Sequence, residues 1–212
     1  MKKTFLVPLM FLIGVLSGCT DGFHQMVGVV DAIHFQKNRL VLDVSDWMIH
    51  EKGKQPFVGY GYVANIGKST IIQSEEGKKV SLKNIKIGQK VRVVELEEHK
   101  FAKKITLLKM TRKEKLGDLL PGEKALNIVV LYTQAHTFNG KLDHLEMVFD
   151  NPRIDNVSYK PYNPNYVMDY KKAFGIRKLP VILVLDSHGL VFKTHKVDVL
   201  KDHFSDDFEK GK

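Results

Sequence analysis

One cysteine stands in 212 residues. A lone thiol excludes an intramolecular disulfide framework, a CxxC redox pair and a zinc ribbon. No G-x-S-x-G, P-loop or Ser–His–Asp pattern occurs, so none of the common nucleophile or phosphate signatures is present. Gly59-Tyr60-Gly61-Tyr62 lacks the third glycine and the strand-to-helix setting of a dinucleotide site. There is no internal repeat and no low-complexity tract. The chain is also not poor enough in apolar residues to be disordered, since 43% are hydrophobic against 27% charged. Nine histidines invite a metal, but His188, His195 and His203 fall on a turn, a strand end and a helix and form no compact ligand motif. The carboxylates of Glu95–Glu98 and Asp206–Glu209 are consecutive and suit a solvated rim better than an acid–base pair facing one cleft.

What is present begins at the N-terminus. Lys2 and Lys3 precede a 12-residue apolar run, Phe5 to Leu16. A membrane-spanning helix needs roughly 20 residues. The run therefore reads as the apolar region of a secretory signal. Leu16-Ser17-Gly18-Cys19 follows at once. These residues resemble the lipobox of bacterial lipoproteins of the Gram-positive type. The resemblance implies a signal peptide over residues 1–18, diacylglyceryl on the Cys19 sulfur, and a mature chain that starts at that cysteine. The usual alternative is a buried free thiol. Two acyl chains give stable anchoring at about 0.8 kcal/mol per buried methylene. The expected address is the outer face of the cytoplasmic membrane, which makes nucleic acid a poor partner.

The whole chain carries +9, and +7 without Lys2 and Lys3. Residues 20–120 hold 18 basic and 12 acidic side chains, whereas residues 121–212 hold 13 and 12. A basic half beside a lipid anchor suits anionic headgroups or wall polymers, or is an ordinary solvated surface.

After a tether over 19–25, residues 26–110 read as short strands and turns: 26–34, 39–44, 58–63, 70–73 with 80–82 as a hairpin, 88–94 and 102–108. This spacing predicts a small barrel or a sandwich. Gly28–Val30, Ile85 to Val93 and Ala102 to Ile105 resemble the OB-like barrels of Gram-positive lipoproteins. The resemblance implies an oligosaccharide- or oligonucleotide-binding face. The longest gap, Ser45 to Phe57, holds the single Trp47 with His50, Lys52 and Lys54. Trp47 either stacks on a sugar or caps the barrel.

Residues 111–123 read as a linker or a short helix ending at Gly117. Ala125 to Tyr132 and Val181 to Leu185 are apolar throughout, as in strands buried on both faces. With helices expected at 140–149, 166–174 and 197–208, and strands at 156–162 and 190–194, the order is β-α-β-α-β-β-α. The segment from Ala173 to Gly189 resembles the C-terminal half of thioredoxin-like domains. That resemblance implies a thioredoxin-like unit over 124–208, a tail over 209–212, and a cis Leu179–Pro180 bond. A redox thioredoxin carries its cysteines where this chain has Thr133 to Phe138, without sulfur. Dithiol exchange needs a thiolate, so that chemistry is excluded. The groove beside Pro180 remains, with His136, Phe138, Tyr159, Tyr162 and Tyr166 either lining it or covering the core.

The expected fold is therefore α+β in two domains, an all-β OB-like barrel followed by an α/β thioredoxin-like unit. The expected role is non-catalytic, without cofactor or metal. It is binding or scaffolding at the cell envelope on anionic wall polymer or peptidoglycan. A protein adaptor using the redox-inactive groove is the alternative, and an enzyme or transport accessory with a hidden site is the third reading.

Overall fold

The computed structural model describes residues 23–56, 59–96, 101–133 and 151–209. The fold is mixed α+β: a closed five-stranded barrel and a separate four-stranded sheet.

The barrel strands are β1 (Phe23–His34), β2 (Arg39–Asp43), β3 (Gly61–Ser74), β4 (Lys90–Leu96) and β5 (Ala102–Leu107). Their order around the barrel is β1-β2-β3-β5-β4, and the parallel pairing of β3 with β5 closes it. Alternation does the sorting, because side chains two apart share a face. Leu40 and Leu42, and Val91 and Val93, point inward and are buried; Ala102 and Ile105, three apart, are both buried because the β4–β5 register shifts between them, and Ile85 closes the core from outside the strands. Burial of each such leucine or isoleucine contributes about 1.5–3 kcal/mol.

Four local expectations change here. Residues 58–63 and 70–73 are not two strands; Gly61–Ser74 is one, with an irregularity between Ile66 and Ile71. The expected strand at 80–82 reduces to a single Gln73–Lys79 bridge and a 3-10 turn, Leu82–Asn84, held by a Ser81–Asn84 capping box. Chain pairing starts at Phe23 rather than residue 26, because Phe23 already pairs with Leu96, and this shortens the tether. The gap after Ser45 is not an open loop but a helix, α1 (Ser45–Lys52). Its N-cap, Val44, offers no side-chain cap; just ahead of it Asp43 Oδ1 accepts the Ser45 N–H at 2.9 Å, and Gly53 at φ 60 stops the helix. Met48 of α1 packs against the barrel core.

The stretch expected as a linker or a short helix ending at Gly117 is that helix, α2 (Arg112–Leu116), with Gly117 at its C-cap and Thr111 and Glu114 capping its start reciprocally, followed by a 3-10 turn to Leu119. Leu116 and Leu119 are buried in the core of the second sheet, so the segment belongs to that core. The sheet consists of β6 (Leu126–Tyr132), β7 (Ile154–Pro161), β8 (Val181–Asp186) and β9 (Gly189–Thr194), in the order β7-β6-β8-β9. β6 runs parallel to β7 and antiparallel to β8. β8 and β9 form a hairpin in which Asp186 Oδ1 accepts the N–H groups of His188 and Gly189.

One face of this sheet (Val129, Leu131, Leu183, Leu185) packs on Leu116, Leu119, Tyr170 and Phe174. The other (Ile128, Val130, Ile182, Val184) packs on Leu200 and Phe204 of α4 (Val197–Glu209). The helix expected over 166–174 shrinks to α3 (Tyr170–Ala173), because Asp169 caps it there and Tyr166 is drawn into an extended bridge. The helix expected over 140–149 lies outside the described residues. The Leu179–Pro180 bond is cis.

That extended bridge joins the two parts. Ile87 donates its N–H to Asn165 O at 3.0 Å and accepts the Val167 N–H at 2.7 Å. The Tyr166 ring lies on Gly88, which has φ 79, and an added Cβ there would sit 2.5 Å from the ring Cζ. The replacement Gly88→Ala thus combines a clash with a left-handed backbone. It is expected to cost about 1–3 kcal/mol, measured as a lowered melting temperature. Tyr166→Ala in the same chain is expected to recover part of that loss, and strictly additive effects would contradict the contact.

Candidate functional site

The junction leaves a cleft of about 720 Å³ beside it. Three groups of residues build its walls. The outer face of β1 supplies Val27, Val29 and Asp31. α1 supplies Trp47, His50 and Glu51, which share one helical face at i, i+3 and i+4, together with Asp46. β7 supplies Lys160, the segment between β7 and α3 supplies Tyr166, and α2 supplies Glu114. Gly28 makes the close approach of α1 possible, since an added Cβ would lie 2.7 Å from Asp43 O and 2.8 Å from a Val44 methyl.

Carboxylates outnumber ammonium groups in this cleft: Asp31, Asp43, Asp46, Glu51 and Glu114 against Lys90 and Lys160. Two of the five are engaged locally. Asp43 holds Ser45, and Glu114 accepts the Thr111 N–H at 2.8 Å and the Lys90 Nζ at 2.9 Å. The Thr111 N–H, the Lys90 ammonium and the Thr111 hydroxyl hold the Glu114 carboxyl down at about 2. The open floor is therefore aromatic and apolar, rimmed by acceptors and by two lysines. Such a surface suits a sugar ring, whose C–H face stacks on an aromatic while its hydroxyls bond to carboxylates. Among the described residues no group of three or more His, Cys, Asp or Glu is placed to hold a metal ion.

Of the residues expected in the barrel loop, Trp47 lines the cleft, and Lys52 Nζ stands 5.1 Å from the centre of its ring. Lys54 instead donates its backbone N–H to Met48 O just past the helix end. The expected groove is only partly assembled. Pro180 and Tyr162 lie at the same end of the sheet, beside β6: Val181 pairs with Leu131, and the Tyr162 N–H bonds to Tyr132 O. Tyr162 lines a second hollow of about 370 Å³ with Thr133, Pro161 and Pro164, and its hydroxyl donates to Asp169 at 3.1 Å.

Tyr159 pairs with Val130 and so belongs to the opposite face. His136 and Phe138 lie outside the described residues, as does Cys19. The three spaced histidines stay apart in role. His195 Nδ1 is 2.7 Å from Pro180 O, His203 stacks on Phe192, and His188 sits in the β8–β9 turn.

Sequence reasoning named Trp47 and His50 together but missed Asp46 and Glu51 as their companions, and it expected Tyr166 in the groove beside Pro180 rather than on the wall of this cleft. Gly53 was the available stop signal for the helix that gathers residues 46–51.

No protein-family model matches the chain, and no curated protein sequence matches it. Among solved structures it is similar to thioredoxin NaTrxh from Nicotiana alata, at 20% identity and a TM-score of 0.28. That likeness covers 39% of this chain and 73% of the thioredoxin. At this level it carries no functional argument.

The lowered Glu114 value fixes the sign of a pH effect. A carboxyl depressed on folding adds stability above its unfolded value of about 4.5, and loses it as pH falls toward about 2. The stability difference between wild type and Glu114→Gln is expected to shrink across that window in acid-titrated chemical denaturation. A difference independent of pH would contradict the assignment.

Proposed function

We propose that this chain is an extracytoplasmic lipoprotein of a Gram-positive-type bacterium, held to the membrane by diacylglyceryl on Cys19, with a non-catalytic binding role at the cell envelope. The anchor rests on Leu16-Ser17-Gly18-Cys19 behind a short basic and apolar leader. An OB-like reading of the barrel is supported by the strand order β1-β2-β3-β5-β4 with its parallel β3–β5 closure. A thioredoxin-like reading of the second part is supported by the order β7-β6-β8-β9 with β8 antiparallel to both its neighbours.

The observation that carries the binding role is the junction cleft, with Trp47 and Tyr166 on facing parts and carboxylates at its rim. Its charge is wrong for an anionic polymer. The glycan strand of peptidoglycan fits it better, while the basic excess of residues 20–120 remains for the outer barrel surface.

A second reading is an adaptor that holds an envelope protein in the hollow at Tyr162. It is favoured by the position of that hollow at the Pro180 end of the sheet.

Sedimentation of the chain without residues 1–19 with purified Gram-positive walls separates these readings. Retention on walls both intact and stripped of teichoic acid is expected, with Trp47→Ala weakening it at least about tenfold, or about 1.4 kcal/mol. Retention lost on stripping or in high salt would transfer the role to an anionic polymer. No retention under any condition would overturn wall binding and leave the adaptor.

A further inference from the structure

The three residues Thr20, Asp21 and Gly22 separate Cys19 from the first paired residue of the barrel, Phe23. Four Cα steps reach at most about 14 Å. A lipid on Cys19 therefore keeps the start of β1 within that distance of the bilayer surface, whatever the orientation of the rest. The strands beside it are fixed by register. Phe23 pairs with Leu96, and Glu95 pairs with Ala102, so the start of β5 lies two strand spacings away, about 10 Å.

Phe101 stands at that point and is 52% exposed, at the end of the barrel away from the second sheet. It is held firmly. Its ring lies against Gly67, where an added Cβ would come within 3.2 Å of the ring Cγ. The Gly67 N–H bonds to Thr70 Oγ1, which in turn donates to Ala102 O at 2.6 Å. This clamp sets the 67–70 turn, with the exposed Lys68, next to Phe101. Lys103, also exposed, follows Ala102 on β5.

We infer that this rim, Phe101 flanked by Lys68 and Lys103, is a membrane-contact surface that seats the barrel on a bilayer with anionic headgroups. The inference rests on the anchor proposed above. A ring entering the interface beside cationic side chains is the pattern by which peripheral proteins lie on membranes. Once the rim touches the bilayer, a second contact besides the acyl chains fixes which way the cleft faces.

Position-specific quenching in vesicles tests it on the full lipidated chain. The single tryptophan is removed by Trp47→Phe, and an indole is placed by Phe101→Trp or, as the distant control, by Val191→Trp on the outer strand β9. The vesicles are phosphatidylglycerol and phosphatidylcholine with brominated acyl chains. The indole at position 101 is expected to lose at least about half its emission, and that at position 191 to keep it. Adding Lys68→Ala and Lys103→Ala is expected to reduce the quenching at position 101. Flotation with the vesicles and the mass of the mature chain report the anchor separately. Protein that floats with neither indole quenched, or with both quenched equally, overturns the contact surface and leaves the anchor standing. A mature chain without diacylglyceryl overturns both.

Discussion

A two-hydrogen-bond bridge between Ile87 and the chain at Asn165–Val167 is the constraint on which the rest of the structure depends. It ties the segment that enters β4 to the segment that enters α3. The Tyr166 ring then fills the space over Gly88 that any side chain would block. From there the ring contacts run inward, Tyr166 to Tyr170 at 5.2 Å and Tyr170 to Phe174 at 6.1 Å, into the core of the second sheet. The glycine at the barrel surface and the aromatic ladder of the second core thus meet in one contact, and the cleft is the space left beside it. Leu116 and Leu119 reinforce the join, because the connecting segment is itself part of the second core.

The barrel was legible in the sequence from the alternation of its strands, and the sheet from its continuous apolar runs. Leu40, Leu42, Val91 and Val93 show the period of two, and the runs at 125–132 and 181–185 show burial on both faces. The turn at Asp186–Gly189 was legible from its residues alone. Elements defined by a cap rather than by apolar periodicity were not. α1 has no apolar stripe; its end is set by Gly53, and its start carries only the Asp43–Ser45 hydrogen bond. The stretch at Tyr166 has helical spacing, yet it is pulled into an extended bridge by Ile87, a partner 79 positions away that no local pattern reveals. The site suffered for the same reason. Trp47 stood out as the single tryptophan, but its neighbours in the cleft come from α1 and from a contact between the two parts.

Charge and shape divide the work between surfaces. The cleft is rich in acceptors and aromatic on two sides, which favours hydroxyl-bearing ligands over anions. On the proposed reading, the excess of lysine and arginine in residues 20–120 contributes mainly outside the cleft, which only Lys90 of that stretch lines. Electrostatics there set approach and orientation, and salt screens them over about 8–10 Å. Aromatic stacking in a sheltered cleft is much less sensitive to salt. The two contributions are separable in experiment for that reason.

Trp47 is the single tryptophan of the chain and lines the cleft, so its emission reports that site alone. The most direct measurement is a fluorescence titration of the chain without its leader, using soluble glycan fragments released from peptidoglycan. The account predicts a saturable change in Trp47 emission that persists in high salt and is abolished by Tyr166→Ala. Emission unchanged up to millimolar fragment would contradict it.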